Sequence, residues 1–211
     1  MKETLRKDGW VQLRDVSDSL WMRNGVLLLV YVDDFDERDR LTRESVQHAI
    51  DTRDLLAQHG IDIKTISGGS SATYRITGLV DGFTELQCGT YATMDWRYHQ
   101  VVPEFEIALS VLVSVISRPQ SDMAVIDLGI KGAGCEFGVP LIKDHPNVEI
   151  PYFLSEEHTV INRAPNWRVG QKLQLIPSHA CTTCNLYRQI HVHEEGQVVD
   201  VWPIEGSGKL V

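Results

Sequence analysis

His179, Cys181 and Cys184 fall within six residues of one another in PSHACTTCNLY, with the spacing H-x-C-x-x-C. Imidazole and thiolate are the donors that a borderline-soft ion such as zinc prefers. On an extended strand His179 and Cys181, at i and i+2, project to one side. Two ligands from one strand leave coordination positions open, the arrangement of a catalytic zinc rather than a structural one. The same spacing equally accommodates a Cys181–Cys184 disulfide or two buried thiols, and the residues alone leave that open. Glu156, Glu157 and His158 form an acid-acid-base cluster that reads, taken by itself, as solvated surface charge. His191 and His193 alternate along a strand pattern beside Glu194 and Glu195 and read as solvent-facing.

The elements that would position these groups can be followed along the chain. Met1 to Asn24 is charged and weakly patterned. Gly25 to Val32, GVLLLVYV, reads as a strand buried on both faces, of the parallel-sheet kind. Asp34 or Asp36 then caps a helix to about His59, with Val46, Ala49, Ile50, Leu55 and Leu56 on its apolar side and Gly60 as its C′ glycine. Ile61 to Ser67 is expected to be a short strand, opening into Gly68-Gly69-Ser70-Ser71. Strand, helix, strand and glycine loop make a βαβ unit, the repeat of an α/β barrel, whose functional loops follow the C-terminal ends of strands. In such a loop backbone N–H groups and the serine hydroxyls can converge on an anion, although Gly-Ser pairs are also ordinary turn material. Thr84 to Gln87 reads as a further short strand.

From Val101 the pattern changes. Ile107, Leu109, Val111, Val113 and Val115 alternate with the period of a half-buried strand. Met123–Leu128, Glu149–Leu154, Gln171–Ile176, Ile190–His193 and Gln197–Trp202 are further strand candidates. Arg118-Pro119, Asp144 to Pro146, Asn162 to Asn166 and Glu195-Gly196 are the turn signals between them. Residues 1–100 are therefore assigned to a partial α/β barrel segment and residues 101–211 to an antiparallel β domain.

Composition narrows the partners. A chain of 211 residues, 43% hydrophobic, can bury a sizeable core. Its net charge of −9 argues against nucleic acid or an anionic membrane as main partner. The longest apolar runs are about half the length that spans a bilayer. Met1 to Trp10 lacks an apolar signal segment, and Cys88, Cys135, Cys181 and Cys184 are too few and too uneven for a secreted disulfide scaffold. A cytoplasmic protein with reduced thiols is expected.

Five pieces occur in order: SGGSSATY at Ser67–Tyr74, TELQCGTYATMD at Thr84–Asp95, VIDLGIKG at Val125–Gly132, SEEH at Ser155–His158, and PSHACTTCNLY followed by VVDVWPIEGSGK. Together, over roughly residues 60–211, they resemble the D-threonine aldolase and D-serine dehydratase family, pyridoxal-phosphate enzymes of the alanine-racemase-like fold type III. The resemblance implies an α/β plus all-β protein, a partial (β/α) barrel followed by an antiparallel β domain. It places the cofactor phosphate at Gly68, Gly69 and Ser70, with Gly89 and Tyr91 on its second side. It makes His179 and Cys181 the ligands of a divalent metal, zinc favoured over manganese, with Cys184 in the core or as a third ligand. Glu156 and His158 become candidate catalytic residues without an assigned role. The implied substrate is a small D-3-hydroxy amino acid whose β-hydroxyl the metal would bind. As a Lewis acid the metal would promote loss of hydroxide, giving dehydration of D-serine, or acidify the hydroxyl, giving retro-aldol cleavage of the D-threonine type. A cysteine at the second ligand position tilts the choice toward the dehydratase branch. A homodimer is also implied.

The chain departs from the family where the imine-forming lysine is expected. Lys131 belongs to the D-L-G-I-K-G signature, where the family has a different lysine, and Tyr31-Val32-Asp33-Asp34 stands where the family has Y-x-G-H. Ser207 replaces a family arginine, and only about three barrel strands precede the β domain. The chain is therefore expected to correspond to the C-terminal half of such an enzyme, as a truncated or split gene product or a fragment. The other readings are a non-catalytic remnant or metal-binding module, and a β domain stabilised by zinc.

Overall fold

The computed structural model describes residues 35–151 and 155–209 in full, preceded by the backbone of three short strands at 11–12, 20–23 and 26–29. The chain divides into two compact units, Met1–Cys88 and Gly89–Val211.

In the first unit β1 (Val11–Gln12), β2 (Leu20–Arg23) and β3 (Val26–Leu29) form an antiparallel sheet. The apolar run GVLLLVYV thus supplies an antiparallel strand, not the parallel one expected. Val26–Leu29 pairs with Leu20–Arg23 in the register Arg23 with Val26 to Leu20 with Leu29. Asp33 and Asp34, with the expected Asp34 cap, lie outside the described residues, while Asp36 sits within the first helical turn.

Helix α1 (Phe35–Gln58) buries Val46 and Ile50 against Ile66, with Ala49, Val80 and Phe83 packed alongside. Leu41 is buried as well, whereas Leu55 turns to solvent. Exposed pairs Arg40–Glu44 and Arg43–Asp39, at 2.7 and 2.9 Å, lie at i,i+4 and add a few tenths of a kcal/mol each. The helix ends in a Schellman motif: Ile61 N–H donates to Leu56 O and Gly60 N–H to Ala57 O, with Gly60 at φ +79°.

Residues 61–66 are irregular, with Ile61 and Ile63 exposed and Ile66 alone buried. The strand expected there shrinks to β4 (Ser67–Gly68), paired in parallel with β5 (Glu85–Leu86). Only two residues of β5 offer it ladder partners, and the short helix α2 (Tyr74–Thr77) lies in the connection.

The second unit opens with a 3-10 turn at Thr90–Ala92 and α3 (Trp96–His99). Its five-stranded sheet has the order β8-β10-β6-β7-β9, all pairs antiparallel: β6 (Val111–Gln120), β7 (Met123–Ile126), β8 (Leu141–Ile142), β9 (Thr159–Asn162) and β10 (Lys172–Ile176). Val113, Val115, Ala124, Ile126, Ile161, Leu173 and Leu175 pack with Trp167 into its core. Helix α4 (Ala180–Asn185) follows β10, and β11 (Gln189–Glu194) and β12 (Gln197–Pro203) form a separate hairpin. Its turn has Glu195 at φ +48° and Gly196 at φ +81°, the two positive values of a type I′ turn.

Three local expectations change. The alternation from Ile107 becomes strand only at Val111, because the amides of Ala108 and Leu109 go to Thr93 O at 3.0 and 2.8 Å. Pro119 lies inside β6, whose turn comes at Ser121-Asp122. Glu149 makes a single bridge to Asn162, the last residue of β9, and residues 152–154 of the strand expected there lie outside the described residues. The architecture is an α/β segment of partial-barrel type followed by an antiparallel β domain.

Candidate metal centre

Strand β10 carries the chain to Pro177 and Ser178, both buried, and His179 follows in extended conformation at φ −143°, ψ 110°. Helix α4 starts one residue later, so Cys181 stands in a helical turn and not two places along a strand as expected. Asp95 explains the switch. Its carboxylate is fully buried; Oδ2 accepts the Ala180 amide at 2.9 Å, and Oδ1 accepts the Tyr98 amide at the head of α3 at 2.8 Å. One carboxylate thus satisfies the first amides of two helices, the role that helix starts reserve for an acceptor side chain. Trp96 N–H adds a bond to Pro177 O at 3.2 Å.

Gly134 holds the motif from another side. Ser178 Oγ donates to Gly134 O at 3.1 Å, and Gly134 N–H donates to Thr183 Oγ1 at 3.0 Å. Thr183 Oγ1 in turn donates to His179 O at 2.7 Å. A Cβ at Gly134 would overlap Thr182 Oγ1, so this approach requires glycine.

The imidazole is clamped. Phe137 stacks on it with centroids 4.4 Å apart and planes 29° apart. His179 Nδ1 is closed off from solvent and has no hydrogen-bond partner, yet it lies 3.4 Å from Glu136 Oε2. Glu136 Oε2 accepts from Thr182 Oγ1 at 3.0 Å. Cys181 is exposed and Cys184 half-buried; burial, then the neighbouring Cys181, pushes the Cys184 thiol up. All four cysteines are free, so the disulfide alternative is absent. Among the described residues no group of three or more His, Cys, Asp or Glu is placed to hold a metal. An imidazole whose Nδ1 is buried against Glu136, two positions from an exposed thiol, fits a two-donor metal site with open positions.

The segments SEEH and DLGIKG meet. Ile130 and Lys131 amides donate to Ser155 O and Glu156 O at 3.2 and 3.0 Å, and a Cβ on Gly129 would overlap the backbone of residues 155 and 156. Lys131 Nζ contacts Glu156 Oε2 at 2.7 Å and Glu157 Oε1 at 3.3 Å, and those carboxylates hold its ammonium above the usual lysine range. Glu156 and His158 are exposed, and the structure joins neither to His179 or Cys181. His191 and His193 are exposed on β11, and His191 Nε2 lies 3.0 Å from Gln189 Nε2.

In the glycine loop, Gly69 takes φ +74° and its missing Cβ faces Thr77, whose buried hydroxyl has no hydrogen-bond partner. The loop turns donors inward: Ser70 N–H goes to Thr73 Oγ1 at 3.0 Å and Ala72 N–H to Ser70 Oγ at 3.2 Å. A phosphate drawing on those two amides would have to displace Thr73 Oγ1 and Ser70 Oγ. Gly89 precedes the 3-10 turn with open space where a Cβ would stand, and Tyr91 is half exposed with its ring 5.8 Å from Phe105.

Asp95 and Glu136 are the two residues that the sequence reading passed over. Asp95 ends a quoted segment, and an aspartate ahead of WRYH is a cap signal. Glu136 had no signal, because only folding brings residue 136 to residue 179.

The fold and this site define the class: an alanine-racemase-like α/β segment joined to an antiparallel β domain with a His/Cys pair at the end of a central strand. Residues 108–193 match the putative serine dehydratase domain family. The chain is 33% identical to a D-threonine aldolase of Arthrobacter sp., over 82% of its own length and 47% of the relative. It is 30% identical to a 3-hydroxy-D-aspartate aldolase of Paracoccus denitrificans, over 85% of its length and 49% of that protein. The crystal structure of D-threonine aldolase from Filomicrobium marinum superposes with a TM-score of 0.78 at 29% identity, covering 84% of this chain and 50% of that one. The chain belongs to the D-threonine aldolase/D-serine dehydratase-like family and corresponds to its C-terminal half. It spans about half the length of the curated relatives it matches.

Proposed function

We propose that this chain forms the C-terminal half of a pyridoxal-phosphate- and metal-dependent lyase acting on D-3-hydroxy amino acids, by D-serine dehydration or D-threonine-type retro-aldol cleavage. The carrying observation is the His179–Cys181 pair, its imidazole clamped by Phe137 and Glu136 and its thiol open to solvent. The metal, zinc before manganese, would supply a Lewis acid for the substrate hydroxyl, and the pyridoxal cofactor an electron sink at the substrate's Cα. His179 and Cys181 would hold the metal. Gly68, Gly69 and Ser70 would take the phosphate once Ser70 and Ala72 amides turn outward, with Gly89 and Tyr91 on its second side. Glu156 and His158 would face the substrate. Cysteine at the second ligand position favours dehydration, whereas the two relatives named above are aldolases.

The reading includes a cytoplasmic homodimer. Val199 and Val201 on one face of β12, and Val198 and Trp202 on the other, are 44–61% exposed, apolar surface that a second copy could cover. Among the described residues no helix is long and apolar enough to cross a membrane. A second reading is a metal-binding module without the cofactor-anchoring lysine: Lys131 stands where the family has a different lysine, and it is paired with two carboxylates.

Cobalt titration of the full chain tests the metal centre. The expected result is a thiolate-to-cobalt absorption band that Cys181→Ser abolishes and His179→Ala weakens at least tenfold in affinity. A parent protein without such a band overturns the proposal.

A further inference from the structure

We infer that Glu136 is a positioning residue that keeps the His179 ring in the tautomer protonated at Nδ1 and so leaves Nε2 as the atom offered to a ligand. The inference deepens the metal reading and rests on it. A neutral imidazole carries one proton, and the hydrogen bond made by one ring nitrogen decides which nitrogen is left as donor to a metal. In this structure Nδ1 is closed off from solvent and unpartnered, and Glu136 Oε2 lies 3.4 Å from it. A buried nitrogen without a partner is costly, and a hydrogen bond from Nδ1–H to this carboxylate would remove the cost.

The surroundings point the same way. Glu136 is tethered by the Thr182 hydroxyl at 3.0 Å, from the helix that begins after His179, so carboxylate and ring share one local frame. Phe137, the next residue, covers a face of the same ring at 4.4 Å. The bridge of Gly134 to His179 sets the approach of the two segments, and Gly134 admits no side chain beside Glu136 and Thr182. The run Gly134-Cys135-Glu136-Phe137 therefore works as a brace on the imidazole, although it lies more than forty positions earlier in the chain.

The first test needs no metal. In 15N-histidine-labelled full chain, long-range 15N–1H correlation at pH 8 should show His179 protonated at Nδ1. Glu136→Met should give a mixture of tautomers, and Glu136→Gln, which keeps a neutral acceptor, should restore the Nδ1–H form. The second test is zinc affinity: Glu136→Met should weaken it about 10–100-fold, as loss of an outer partner does, while cobalt spectra keep the same coordination number. Wild-type protein protonated at Nε2, or a folded Glu136→Met protein that binds zinc as tightly as the parent, would overturn the inference. So would a change in coordination number, because Glu136 would then be a ligand itself. If Glu136→Met fails to fold, the wild-type tautomer still decides. Failure of cobalt binding in the parent sinks the metal reading and leaves the tautomer result standing as a separate finding.

Discussion

Asp95 shows how much one side chain can organise. Its buried carboxylate accepts two backbone amides, one three residues and the other 85 residues further along the chain. Hydrogen bonds to a charged group contribute about 1.5–3 kcal/mol each, so Asp95→Ala should cost about 3–5 kcal/mol in urea unfolding. Asp95→Asn offers one oxygen acceptor and should fall between the two. The thiols differ as well. Burial, with Glu136 adding to it, pushes Cys135 up to about 11, whereas Cys181 is exposed. The thiolate is the reactive form. Iodoacetamide at pH 8 should therefore modify Cys181 first and Cys135 last, and zinc should slow Cys181 selectively. Equal rates at both cysteines would contradict the burial seen here.

Among the elements, β6 and β7 are tied to the DLGIKG turn by Asp127, whose Oδ1 accepts the Ser114 amide at 2.6 Å. Burial would raise its pKa, but the Ser114 backbone and side chain, its own amide and the charge of Lys172 together bring it below the usual aspartate value. A depressed native pKa stabilises the fold above the unfolded value of about 3.9, and that stabilisation is lost as pH falls through the lower, folded pKa. Asp127→Asn should remove this component, flattening the dependence of Tm on pH below about 4 and lowering Tm at pH 7. The same turn depends on Gly129, which crosses the backbone of residues 155 and 156 with no room for a Cβ. Gly129→Ala should lower Tm by several degrees, and more than Gly60→Ala, where open space leaves only the backbone cost of about 1–2 kcal/mol.

At the scale of the whole molecule the question is whether this chain anchors the cofactor. Lys131, the lysine of the family signature, is exposed and doubly paired with Glu156 and Glu157. A lysine held charged is a poor nucleophile toward a carbonyl. Borohydride reduction of the full chain with pyridoxal phosphate should therefore leave Lys131 no more labelled than other surface lysines, by peptide mapping. Selective labelling of Lys131 would mean that the chain supplies its own cofactor lysine and would favour a self-sufficient lyase.

Several features were legible without coordinates because they are local. The 3.6-residue spacing of Val46 and Ile50, the Gly60 stop, the period-two run through Val113 and Val115 and the Glu195-Gly196 turn all depend on neighbours a few positions away. Ordered motifs pointed to the family, and the H-x-C spacing named the donors. Everything that needed a partner from far along the chain waited for the fold. Val26–Leu29 became antiparallel because Leu20–Arg23 lies beside it, and Ile61 and Ile63 stayed exposed because no strand pairs with them among the described residues. Cys181 entered a helix because Asp95 caps it from 85 positions away, and His179 met Glu136 across the Gly134 bridge. Propensity and spacing act over a turn or two, whereas a buried hydrogen bond joins whichever groups the packed chain brings together.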